Sequence, residues 1–176
     1  MWGNVGRYDF FFLNLQTKTN RDQQLHMRFI GDYIAKTDAK GRVFLPVALR
    51  KALEAEDCTS LVLRKDVFQS CLVLYPSMVW DAMLDELDMK LNHWNGTHQQ
   101  VKRQFVADAE PIELDSNGRI LLNKRKMEFA HITTDVRFLA VDDHIEIWDR
   151  QTLEQLLEQS ESTLGNDIQS LIGGAF

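Results

Sequence analysis

Thr37-Asp38-Ala39-Lys40-Gly41-Arg42-Val43-Phe44-Leu45 returns further along the chain as Leu114-Asp115-Ser116-Asn117-Gly118-Arg119-Ile120-Leu121-Leu122. Asp38 and Asp115, like Arg42 and Arg119, are separated by 77 positions. A repeat at fixed offset means two copies of one supersecondary plan, and it governs how every other element is read. The local chemistry is that of a tight turn. A short carboxylate bonds its own downstream backbone, and the glycine, Gly41 or Gly118, supplies the positive φ that the turn requires. Asn117-Gly118 is a strong hairpin signal and Lys40-Gly41 a weaker one. Further on, Cys71-Leu72-Val73-Leu74-Tyr75 resembles His144-Ile145-Glu146-Ile147-Trp148 at an offset of 73, so the second copy is four residues shorter in between.

Outward from the loops, Ile30, Tyr33 and Ile34 precede the first and Val43-Phe44-Leu45 follow it as strands. Ile112 and Leu114, then Ile120-Leu121-Leu122, frame the second. Pro46 cannot extend a ladder and suits the first turn of a helix over residues 47–53. Residues 61–63 and 72–75 form a second hairpin. Behind Ser77, the expected N-cap, Trp80, Met83, Leu84, Leu87 and Leu91 fall at helical spacing. Asn92 to Gly96 break that helix, and Val101 and Phe105 mark a shorter one. Leu153, Leu156, Leu157 and Leu164 form a last stripe after Asp149, and all three stripes are expected to pack against the sheets. The fold class is therefore mainly β with α. Residues 1–26 are expected to be an N-terminal extension, disordered or an over-called translation start, with a real functional arm as the alternative. Residues 29–77 form unit 1, 78–104 a helical connector, 105–149 unit 2, and 150–176 a C-terminal helix and tail whose last four residues, from Gly173, are expected to fray.

Apolar residues make up 44% of the chain and charged residues 26%, which is globular rather than disordered. No apolar run approaches the roughly 20 residues of a membrane span, and Asp9 and Asn14 interrupt the nearest approach to a signal-peptide core. The reading is cytoplasmic, with no membrane partner. Cys58 and Cys71 lack metal or disulfide spacing and read as core thiols of a reduced protein. His93, His98, His131 and His144 are not at ligand spacing, and no nucleophile-elbow, phosphate-loop or dinucleotide pattern occurs. Asp142-Asp143-His144 reads as an exposed turn between strands. No catalytic residue, metal site or cofactor is expected. The net charge of −6 opposes diffuse binding to nucleic acid, so a DNA ligand would need locally focused cations.

The paired Asp-x-x-x-Arg motifs resemble the signature of MraZ proteins. So do Arg42-Val43-Phe44-Leu45-Pro46, Leu74-Tyr75-Pro76, Glu113-Leu114-Asp115-Ser116-Asn117-Gly118-Arg119 and Glu146-Ile147-Trp148-Asp149. The resemblance runs from Met27 or so to near Leu157. It implies tandem units of the AbrB, or swapped-hairpin, kind, interleaved into a pseudo-symmetric barrel. It further implies a ring-shaped homo-oligomer, often of eight subunits, that regulates transcription. Such proteins usually repress the division and cell-wall gene cluster that begins with their own gene, and bind short repeats in its promoter, which places this chain at the nucleoid. Arg42 and Arg119 stand at the motif arginines, Asp38 and Asp115 at the motif acids. The chain departs from the pattern after the second motif, where Asn123-Lys124 replaces an expected proline and leaves the following short helix in question.

An arginine just after a turn glycine presents a planar fork that reaches phosphate oxygens or the guanine N7 and O6 edge. The aspartate four residues earlier would be repelled by DNA; its expected work is to shape the loop and orient the arginine. The DNA-facing candidates are Arg42, Lys40, Arg119, Lys36, Lys124 and Arg125, with Lys126 adding to the local basic charge; Asp38, Gly41, Asp115 and Gly118 are the loop-shaping set. Motif chemistry alone leaves a second reading open, in which each Asp–Arg pair is a loop-internal salt bridge without a ligand. Two other functions compete: an antitoxin-like AbrB relative, and a ring-forming interaction module without this DNA target.

Overall fold

The computed structural model describes residues 28–173. The N-terminal extension and residues 174–176, part of the tail end expected to fray, lie outside the described residues. The first repeat contains β1 (Phe29–Lys36), β2 (Arg42–Phe44), helix α1 (Val47–Ala55), β3 (Leu61–Lys65) and β4 (Leu72–Pro76). Helices α2 (Ser77–Lys90) and α3 (Gly96–Val106) follow. The second repeat contains β5 (Glu110–Ile112), β6 (Arg119–Leu121), helix α4 (Lys124–Phe129), β7 (Asp135–Asp142) and β8 (His144–Asp149), and helices α5 (Arg150–Glu161) and α6 (Leu164–Ile172) close the described chain.

Both glycine loops make their turns, yet neither turn joins a hairpin. Asp38 N donates to Arg42 O at 2.8 Å and Gly41 N to Asp38 O at 2.9 Å, after which the strands separate, apart from one bridge between Thr37 and Val43. β1 pairs instead with β7 of the other repeat, from Phe29↔Asp142 to Lys36↔Asp135. β5 pairs with β3, and β2 with β6. The physical reason is length: a three-residue β2 satisfies few of the backbone groups that β1 presents, whereas β7 matches β1 end to end.

These exchanges build an antiparallel sheet ordered β1-β7-β8-β4-β3-β5 and a separate two-stranded ribbon, β2-β6. Both are two-fold in pattern. In the sheet, Leu72↔Ile147 and Leu74↔Ile145 flank Val73↔Glu146; in the ribbon, Arg42↔Leu121 and Phe44↔Arg119 flank Val43↔Ile120. Among the described residues no ladder joins β1 to β5, so the sheet is open rather than closed into the expected barrel. The core lies between ribbon and sheet, where Val43, Leu45, Ile120 and Leu122 meet Leu63, Phe138, Ile145 and Ile147.

The helical stripes are only partly covered. Trp80 is buried and stacks on Phe105 with ring centroids 5.4 Å apart, and the Arg64 guanidinium lies 4.0 Å from the Phe105 centroid. Ser77 is the first helical residue rather than the N-cap: strand β4 runs straight into α2 through Pro76, and Ser77 N is already bonded to Ser60 O. Pro46 likewise stands just before α1. Leu91 lies beyond α2 in extended backbone, and Gly96 opens α3 instead of ending the break, because Asn95 caps the Thr97 and His98 amides. On the C-terminal stripe only Leu153 and Leu156 face the sheet. Leu157 is exposed, as is Leu164, which belongs to a separate helix, so the expectation that this stripe packs throughout is corrected. Val101 is exposed too.

Candidate nucleic-acid interface

Each loop is organised around one carboxylate. Asp38 Oδ1 accepts from Lys40 N at 2.8 Å and Arg42 N at 3.0 Å, while Oδ2 accepts from Arg42 Nε at 2.7 Å and Nη2 at 2.6 Å. Asp115 repeats the plan with Asn117 N at 2.9 Å, Arg119 N at 3.0 Å and Arg119 Nε at 2.7 Å. The Arg42 hydrogen bonds hold the Asp38 carboxyl at about 2, below its ordinary 3.8. Asp115 is also lowered, first by the Arg119 backbone N–H. Gly41 and Gly118 share φ 78°, and a Cβ would collide with the Leu122 carbonyl at 41 and with the Arg50 guanidinium at 118. The ion pair of the second reading is present in both loops and holds each arginine in place.

The loops are braced by one another's repeat. Leu122 N donates to Gly41 O at 2.9 Å, and Leu45 N donates to Gly118 O at 3.0 Å. Arg50 Nε bonds Leu45 O, which brings its guanidinium against the second loop. The ribbon between the loops alternates strictly: Val43 and Ile120 are buried, so Arg42, Phe44, Arg119 and Leu121 share the outward face. Arg42 is 36% exposed but Arg119 only 21%, with its guanidinium carbon 5.6 Å from the centre of the Phe44 ring. Phe44 and Leu121 are each more than half exposed. They escaped the sequence reading, which took residues 43–45 as one apolar run; the period of two that begins at Arg42 is the signal that finds them.

The remaining cations divide. Lys40 and Lys124, from different repeats, line one surface hollow of about 680 Å³ beside the first loop, together with Asp38 and with Glu128, which lies 3.7 Å from the Lys124 ammonium. Arg125 is exposed next to Lys124 on α4. Lys36 is exposed but lies 3.4 Å from Asp135, beside a different hollow that also holds Asp149, Arg150 and Glu154, so acids offset its charge. Lys126 is not a surface cation: it is buried, with Nζ donating to Asp108 O at 2.7 Å and Leu63 O at 3.3 Å. The departure at Asn123 is harmless to α4, because the Asn123 side chain caps Lys126 N at 3.0 Å where a proline would only have set φ.

The family model for MraZ protein matches residues 29–103 and, a second time, residues 105–172. The chain belongs to the MraZ family. Relatives named Transcriptional regulator MraZ include one from Phocaeicola vulgatus, 50% identical over 147 residues, which covers 84% of this chain and 95% of that protein. One from Bacteroides thetaiotaomicron is 50% identical over 129 residues, 73% of this chain and 83% of the relative. One from Flavobacterium psychrophilum is 34% identical over 144 residues, 82% and 91% of the two chains. The two consecutive MraZ matches follow the internal repeat, one Asp–Arg loop in each. Among the described residues no helix is long and apolar enough to cross a membrane.

Proposed function

We propose that this MraZ chain is a sequence-specific, double-stranded DNA-binding transcriptional regulator, not an enzyme, that reads promoter repeats through the loops carrying Arg42 and Arg119. The observation that carries the reading is the placement of two equivalent arginines, each fixed by its own aspartate, on one outward face of a single ribbon. Lys40 and Arg125 add phosphate-seeking charge near the first loop, and Lys124 and Lys36 contribute less because Glu128 and Asp135 face them. The relatives' name supports regulation of transcription. The family resemblance supplies the rest of the proposal: repression of the division and cell-wall cluster at the nucleoid, and a ring of about eight subunits. The strand exchange between repeats supports the swapped-hairpin description of the fold.

The test is a binding titration of the protein with the DNA upstream of its own gene against unrelated duplex of equal length. Preferential binding that disappears in Arg42→Ala is expected, and equal affinity for both duplexes overturns the reading. A second reading, an interaction module without this DNA target, draws on α6, where Leu164, Ile168, Leu171 and Ile172 lie exposed. It predicts a protein partner and no preference for the upstream DNA.

A further inference from the structure

Phe44 and Leu121 stand on the same face as the two motif arginines, and nothing in the turn chemistry requires them to be apolar or exposed. Val43 and Ile120 already supply the ribbon's core contacts, at 0% and 1% exposure, while Phe44 and Leu121 are 55% and 53% exposed. The register sets Phe44 opposite Arg119 and Leu121 opposite Arg42, so the outward face carries one cation and one apolar group at each end.

We infer that this face enters the DNA major groove as a ribbon and that Phe44 and Leu121 contact thymine C5-methyl groups, making them specificity-determining residues beside the arginines. The inference rests on the DNA-binding reading above. Three observations carry it. First, a two-stranded β-ribbon is one of the few shapes that the major groove, about 12 Å wide, admits. Secondly, outward residues two apart on a strand are separated by about 6.6–6.8 Å, which matches two base-pair steps of about 3.4 Å, so Arg42 with Phe44 and Arg119 with Leu121 can each address positions two base pairs apart. Thirdly, the partner must be anionic on its rim and apolar in patches at its floor. Phosphates suit Lys40 and Lys124 at the side of the first loop, guanine edges suit the arginine forks, and the thymine methyl is the apolar group that the major groove offers to a phenyl or isobutyl side chain. The Asp38 and Asp115 carboxylates, the acids of the two loops, are occupied by loop N–H groups and by the arginines themselves.

The test replaces every thymine of the upstream fragment by deoxyuridine, which removes the methyl and leaves the hydrogen-bonding edge intact, and measures affinity by fluorescence anisotropy. Wild-type protein is expected to lose about fourfold in affinity per engaged methyl. In Phe44→Ala and Leu121→Ala the ratio between the thymine and uracil fragments should shrink toward one, with the mass in solution unchanged. Equal wild-type affinity for the two fragments overturns the inference while leaving DNA binding standing. A fall in mass of Phe44→Ala with an unchanged ratio also overturns it and gives the face to a second copy of the chain. If wild-type protein does not prefer upstream DNA at all, the underlying reading fails and this one with it. The wild-type comparison decides the question even where a variant does not fold.

Discussion

Between Asp38 and Arg42 the loop holds a carboxylate whose charge is unusually secure. Its folded value of about 2, against an ordinary 3.8, means that the pair's contribution is fully present above about pH 4 and is lost as pH falls toward 2. The Lys40 and Arg42 amide resonances should accordingly stay put from neutral pH down to about 4 and move below it; a midpoint near 4 would mean that the pair is not formed in solution. Arg42→Ala should weaken binding to upstream DNA by about 1–3 kcal/mol per engaged subunit while circular dichroism and mass are unchanged. Arg119→Ala should cost less, since that side chain is more enclosed. The adjacent lysines test how far charge in a sequence can be taken at face value. Lys124→Ala, at a position 90% exposed, should alter DNA affinity and leave melting untouched. Lys126→Met removes a buried donor from two carbonyls and from Asp108, and should cost about 1–3 kcal/mol of stability, read as a fall in urea midpoint. Letters alone do not separate these two. The difference is two residues of helical phase on α4, about 200°, and which of the two faces inward depends on where Asn123 starts the helix.

At the scale of elements, the turns were legible and their partners were not. An aspartate, a glycine and an arginine within five residues specify a loop through contacts that are all local, so Asp38 to Arg42 and Asp115 to Arg119 could be read directly. Which strand a loop's flank will pair with depends on competition among distant segments, and β1 finds its full-length match in β7, 99 to 113 residues away. Similarly, spacing announced the stripe of α2, but not that Arg64 would lie over Phe105 stacked on Trp80. The ribbon is the element on which the site depends. Ile120 is 1% exposed, and Ile120→Ala should cost about 2–5 kcal/mol by leaving a cavity beneath both arginines. Because Leu45 and Leu122 anchor the opposite loops just beyond the ribbon, that single change should loosen both loops together. Amide exchange that speeds up at Gly41 and Gly118 alike is the expected result, and protection lost in one loop alone would contradict it.

For the whole molecule the governing number is the charge of −6. Under the proposed function, a body that repels phosphate overall binds DNA through local cations, so affinity should fall steeply with salt, by about 0.9 in log K per log unit of salt for each phosphate neutralised. A flat titration between low and physiological salt would argue against a phosphate-facing surface. Within the proposed ring, repeated loops convert later contacts into intramolecular ones, worth about 10²–10⁴ in avidity when spacing fits. A fragment with several phased repeats should therefore bind far better than one repeat, and insertion of half a helical turn should erase much of the gain; light scattering gives the mass independently. The two-fold ribbon carries one more implication. Two identical polypeptides meeting across such an axis are bound to present identical halves, and so to favour a palindrome. Here both halves lie on one polypeptide, and each is free to mutate alone. Phe44 already stands where Leu121 does in the other half, and Ala39-Lys40 where Ser116-Asn117 does. Under the proposed function, covalent tethering releases the ribbon from symmetry, and its expected target is a short sequence with a direction, which can be laid head to tail along a promoter.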